Sequence, residues 1–167
     1  MALSAAAYFN CALGRIDDAI PVLQHAVATF RRLNAPYGIG GSQQFLACAY
    51  ALRGDRESAL ALGQDVIQYL QRTQMVIVLM PYMALLHAQQ PGSEADAALL
   101  VGFFDVELKR TGRIVPPFIT HTRDRVMALV SAALGDREAQ AHAAAGARLT
   151  EEQAIELMFG PSNDEPR

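Results

Sequence analysis

One short pattern recurs along the chain and constrains it more than anything else. Ala12-Leu13-Gly14-Arg15-Ile16-Asp17-Asp18-Ala19 reads as a helix end, a glycine, a polar turn and a new helix. Ala51-Leu52-Arg53-Gly54-Asp55-Arg56-Glu57-Ser58-Ala59 repeats it, and so does Ala133-Leu134-Gly135-Asp136-Arg137-Glu138-Ala139. Gly14 and Gly54 stand roughly 40 positions apart, a spacing in the range of helical repeats, and Gly54 and Gly135 stand about two such periods apart. The missing member falls near residue 94. There Gln90-Pro91-Gly92-Ser93-Glu94-Ala95-Asp96-Ala97 again joins a turn signal to a helix start.

The physical logic of the pattern is local. A helix ends where a residue adopts positive φ, and glycine does so at least cost. An acidic residue just beyond favours the positive end of the next helix, and a short turn sets the two helices antiparallel. Ala and Leu dominate and alternating β-branched runs are missing, so the intervals read as helices. The expected pairs are 3–13 with 17–33, 39–53 with 56–73, 74–90 with 94–111, and 118–134 with 136–147. A short helix follows at 151–159, opened by a capping box at Thr150-Glu151-Glu152-Gln153. Leu60, Leu62, Val66, Ile67 and Leu70 form one apolar stripe. Leu99, Leu100, Phe103, Phe104, Val106 and Leu108 form a broader one. Ala19, Ala26, Ala59 and Gly63 are small where helices must approach. Pro21 is placed in or near a first turn, where a missing amide costs little. Pro81 is expected to kink or break its helix.

Of the 167 residues 51% are apolar, enough to bury a core, and one domain over residues 1–160 is expected. Residues 161–167, with two prolines in the final stretch, are expected to fray. A net charge of −3 argues against a nucleic-acid or membrane-surface role. Cys11 and Cys48 sit in apolar helical patterns and read as small buried side chains of a reduced, cytoplasmic protein. The N-terminus has no basic region and is a poor signal peptide. Met75 to Leu86 is the most apolar window. It is too short to span a bilayer, so it is either a buried helix or a contact through which two copies associate.

The second hairpin, with Leu46-Ala47, Tyr50, Gly54-Asp55 and Ala59, resembles the tetratricopeptide repeat. The first keeps Gly14, Ala19, Leu23, Ala26 and Pro36 of that pattern. Both are longer than the usual repeat of about 34 residues. In the C-terminal half, Ala97-Ala98-Leu99-Leu100-Val101-Gly102 and Gly112-Arg113-Ile114-Val115-Pro116-Pro117 are similar to the last stretch of large ATP-dependent LuxR-type transcription regulators of bacteria, and of multidomain adenylate cyclases. Ala132-Ala133-Leu134-Gly135 and Gly146 to Ile155 share the likeness. The tryptophan often seen before the final glycine of those tails is missing. The resemblance implies an all-α, right-handed superhelix of about four helical hairpins plus a short C-terminal helix. It implies a non-catalytic interaction module, the C-terminal regulatory part of a regulator or signalling protein. A domain that senses a small inducer between helices is the alternative.

The chemistry-bearing residues offer little else. The sole lysine, Lys109, has no phosphate-binding loop around it. His25, His87, His121 and His142 form no metal-ligand spacing, and Ser42 and Ser131 lack a nucleophile elbow. His121 and Asp124 share a helix face and could form a surface hydrogen bond. No catalytic site, cofactor or metal is expected. By the tetratricopeptide register, Tyr8 and Gln44 point into a concave groove, with Asn10, Gln43 and Tyr50 near. Such side chains suit a peptide or partner helix, or else satisfy neighbouring backbone.

Overall fold

A computed structural model describes residues 6–8, 10, 11 and 13–160. The expected tail at 161–167 lies outside the described residues. The described chain is helical throughout and contains no strand. After helical residues at 6–8, 10 and 11 come α1 (Ile16–Arg32), α2 (Pro36–Arg53), α3 (Arg56–Arg72) and α4 (Val76–Ala88). They are followed by α5 (Glu94–Thr111), α6 (Pro117–Leu134), α7 (Asp136–Gly146) and α8 (Glu151–Phe159). The all-α expectation holds, and the boundaries of α1 to α8 agree with the expected ones to within a few residues, while the start of the expected helix at 3–13 lies outside the described residues. No described helix is long and apolar enough to cross a membrane. Internal contacts group the chain into two compact units, residues 1–79 and 80–167.

In the first unit the helix ends share one geometry. Gly14 (φ 78°), Asn34 (φ 49°), Gly54 (φ 82°) and Gln74 (φ 55°) occupy the left-handed region at equal intervals along the chain. The next amide bonds back to a carbonyl five positions earlier each time. These bonds are Arg15 to Asn10 at 3.0 Å, Ala35 to Phe30 at 3.0 Å, Asp55 to Tyr50 at 2.9 Å and Met75 to Leu70 at 2.8 Å. The left-handed residue itself donates to the carbonyl three back, at 3.1 Å in all four turns. Together these are Schellman motifs, which satisfy carbonyls a helix end would otherwise leave bare. The period read from the sequence is therefore two equal steps, each a helix plus its connection.

α2 packs between α1 and α3. Its own sequence is a poor helix former, since glycine costs about 1 kcal/mol against alanine at a helix position. Gly38 and Gly40 explain themselves by what they meet. The Phe30 ring of α1 lies over Gly38, and the Tyr69 ring of α3 lies over Gly40, where an added Cβ would come within 2.5 Å of it. Two half-buried aromatic rings thus seat on the bare backbone of α2, and this packing offsets the lost propensity. A core of Ala7, Cys11, Ala19, Ile20, Leu23, Val27, Leu46 and Ala49 joins α1, α2 and the N-terminal helical residues. On α3 the buried stripe is Ala59, Gly63, Val66 and Leu70, with Leu62 and Ile67 on its flanks.

In the second unit α5 packs on α6, α7 and α8. Gly102 of α5 meets the Ala143 carbonyl, and Gly146 of α7 meets the Leu99 carbonyl. The reciprocal order of these contacts makes the two helices antiparallel and brings them backbone to backbone. Arg123 of α6 ties to Asp105 of α5 through two bonds, Nε to Oδ1 at 3.0 Å and Nη2 to Oδ2 at 2.5 Å. The capping box forms as expected: Thr150 Oγ1 accepts from Gln153 N–H at 3.2 Å, and Gln153 Oε1 accepts from Thr150 N–H at 3.0 Å.

Three expectations are corrected. α4 runs without a break from Val76 to Ala88 with Pro81 inside it, so of the expected kink or break the break does not occur. Burial along this apolar helix outweighs the roughly 3 kcal/mol that an interior proline costs. Val76 to His87 are all buried, so the exposed surface that self-association through Met75–Leu86 would need is not there. Pro21 is the sixth residue of α1, past the first turn. It is exposed, and so is Asp17, whose carbonyl it leaves without a helical donor, so water can serve instead.

Candidate functional site

The five candidate contact residues all belong to the first unit. Tyr8 and Gln44 are 4% and 3% exposed, so neither offers a partner any surface. Tyr8 stacks on Phe45, with ring centroids 4.4 Å apart and planes 16° apart. It also shares a hydrogen bond with the Cys48 thiol. Gln44 keeps a buried amide nitrogen that has no hydrogen-bond partner among the described residues. Asn10 is half-buried, and its backbone carbonyl accepts the turn amides of Leu13 and Arg15. Tyr50 is half-buried and engaged within the fold. Its hydroxyl accepts from Gln24 Nε2 at 2.8 Å, and the Arg53 guanidinium lies 5.2 Å from its ring centre. Arg53 in turn pairs with Asp55 at 2.7 Å. Hydrogen bonding to Arg53, and to Ser58 at the start of α3, holds the Asp55 carboxyl below the usual range.

Gln43 is also buried, at 8% exposed, but it stands at the wall of a groove. It lines an open groove of about 490 Å³ between α2 and α3. Tyr37 and Ile39 line the α2 side with it, and Asp65, Tyr69 and Arg72 line the α3 side. Because Gly40 lies against Tyr69, the antiparallel helices bring Tyr37 toward Arg72 and Gln43 toward Asp65. Tyr37 is 72% exposed. It stands edge-on to Tyr69, with centroids 6.3 Å apart and planes at 71°. Asp65 and Arg72 are exposed, and neither has an ion-pair or hydrogen-bond partner among the described residues. The groove thus combines an aromatic wall with one free charge of each sign.

Tyr37, Asp65, Tyr69 and Arg72 are absent from the sequence-derived candidates. The usable signal was the run of glycines in Gly38-Ile39-Gly40-Gly41 inside a helical stretch, which marks a close approach by another element. It could not say which element.

The other reactive groups are dispersed. Among the described residues no cluster of three His, Cys, Asp or Glu could hold a metal ion. His87 Nε2 lies 3.3 Å from the Met158 carbonyl, and His142 lies 3.7 Å from Glu138. Asp124, a possible partner for His121, instead pairs with Arg123 at 3.1 Å. Cys11 and Cys48 are free thiols. Burial pushes the Cys11 thiol up to about 11 and drives Cys48 higher still, so neither is a ready nucleophile. No family model matches the chain, and no curated protein or solved structure matches it.

Proposed function

We propose that this chain is a non-catalytic binding module, built from tetratricopeptide-like helical hairpins, that takes a protein or peptide partner. The observation that carries the reading is the open groove between α2 and α3, with its exposed tyrosine and two unpartnered charges. Exposed aromatic and Arg side chains are the residue types that anchor protein contacts. The even recurrence of the helix-end turn supports a repeat architecture, in which stacked hairpins present such grooves. The likeness to the tails of LuxR-type regulators gains support from Gly102 and Gly146. They lie in two of the segments that carry the resemblance, and they mediate one helix contact. On this reading the chain is the regulatory C-terminal part of such a regulator, working in the cytoplasm.

Selection of a random peptide display library against the full chain tests the reading. A shared motif should be enriched, and Tyr37→Ala should weaken its binding. A library that enriches nothing would remove the interaction reading.

The second reading is a sensor for a small inducer. The groove volume supports it, since about 300–1,000 Å³ is the range of small-molecule sites. It calls for a rise in Tm with a metabolite from a broad panel, because a ligand that binds only the folded state stabilises it. A flat panel would count against it.

A further inference from the structure

We infer that the α2–α3 groove takes an extended peptide segment in which an acidic and a basic side chain flank one apolar residue. The pattern is Glu-x-Φ-x-Lys or its reverse, with Φ aromatic or large aliphatic. The inference deepens the interaction reading above and rests on it.

The charges set the ends. Asp65 and Arg72 both line the groove from α3. Their separation in sequence is almost two full turns, so both side chains leave the same face, about 10 Å apart along the axis. Neither is neutralised by a neighbour among the described residues. A partner of uniform charge would satisfy one and repel the other. A purely apolar partner would desolvate both without compensation. Only a segment carrying both signs matches the pair.

The middle is apolar. Tyr69 projects between the two charges and is held by Gly40, while Ile39 faces it from α2. Tyr37 stands over the Arg72 end with most of its ring in water. A side chain laid here would cover the tyrosine faces and Ile39.

The spacing selects an extended backbone. Alternate residues of a strand share a face, so positions i, i+2 and i+4 present acid, apolar and base together across about 13 Å. The long side chains of Arg72 and of a ligand lysine absorb the small excess over the spacing on α3.

The test uses the full chain and four fluorescein-labelled heptapeptides with a central Phe. Their flanking pairs are Glu/Lys, Lys/Glu, Glu/Glu and Lys/Lys, and binding is read by fluorescence anisotropy. At least one mixed-charge peptide should bind about tenfold more tightly than either like-charge peptide. Arg72→Glu should move the preference to the Lys/Lys peptide, and Asp65→Lys should move it to the Glu/Glu peptide. Both positions are exposed, and an unchanged helical circular dichroism spectrum would verify the fold of each variant. Absence of binding by all four peptides overturns the inference. So does a rank order that neither reversal alters. Library-selected peptides that bind but ignore both reversals would reject this groove chemistry while leaving the interaction reading intact. An unenriched library would reject the reading itself.

Discussion

Gly146 of α7 lies so close to the main chain of Leu99 of α5 that a Cβ there would overlap the Leu99 carbonyl oxygen. Gly102 repeats the relation against Ala143. In both cases the obstacle is backbone, which cannot swing aside as a side-chain tip can. Gly146→Ala and Gly102→Ala should each cost about 2–3 kcal/mol, even though alanine is the better helix former. Urea denaturation measures this. A variant as stable as the parent would show that α5 and α7 separate without penalty.

The recurring left-handed turns make a prediction with two signs. Gly54 has φ 82°, and Gln74 has φ 55° in the equivalent turn. A residue with a Cβ loses about 1–2 kcal/mol in that region. Gly54→Ala should therefore destabilise by about 1 kcal/mol, and Gln74→Gly should stabilise by about 0.5–1 kcal/mol. Thermal melts of the two variants should move in opposite directions. Equal shifts of one sign would argue against equivalent turns.

The thiols should be silent in the folded protein. Burial raises Cys11 to about 11 and Cys48 further, so at pH 8 almost no thiolate is present and access is closed. A colorimetric disulfide reagent should titrate neither thiol in native buffer and both in guanidinium. Rapid native reaction of either would place it at the surface.

Asp55 should contribute to the acid limb of stability. Its carboxyl is held below the usual range by Arg53 and by the Ser58 amide. The folded state therefore favours the ionised form. That contribution is complete above the unfolded carboxyl value of about 3.9, and it disappears as pH falls through the lower folded value. Asp55→Asn keeps a capping oxygen but loses the charge. Its melting temperature should fall below that of the parent at about pH 6 and converge with it as pH falls through the lowered folded value. A constant gap across the range would assign the effect to something other than ionisation.

Much of the fold was legible because its signals are local. The turn at Gly54-Asp55 combines left-handed backbone with a carboxylate cap, and both are properties of adjacent residues. The same holds for Gly14, for the capping box at Thr150 and for the small-residue stripe of α3. The helix ends at 33 and 73 were placed, but the left-handed geometry at Asn34 and Gln74 was not read. A glutamine carries no preference for positive φ, so Gln74 gives no local sign of the turn. The period therefore read as twice the step at which the turn geometry recurs.

The site was legible only at Gln43. Tyr8 and Gln44 carry polar atoms, and in sequence that looks like surface. In the structure Tyr8 stacks on Phe45 and Gln44 lies in the interior. Tyr37 and Tyr69 belong to different helices, and what joins them is a glycine with no side chain to reveal its neighbour. The order of residues determined where helices begin, end and turn, because those choices rest on contacts within a few residues. Which faces became core and which became groove was decided by tertiary packing, because burial depends on partners from distant parts of the chain.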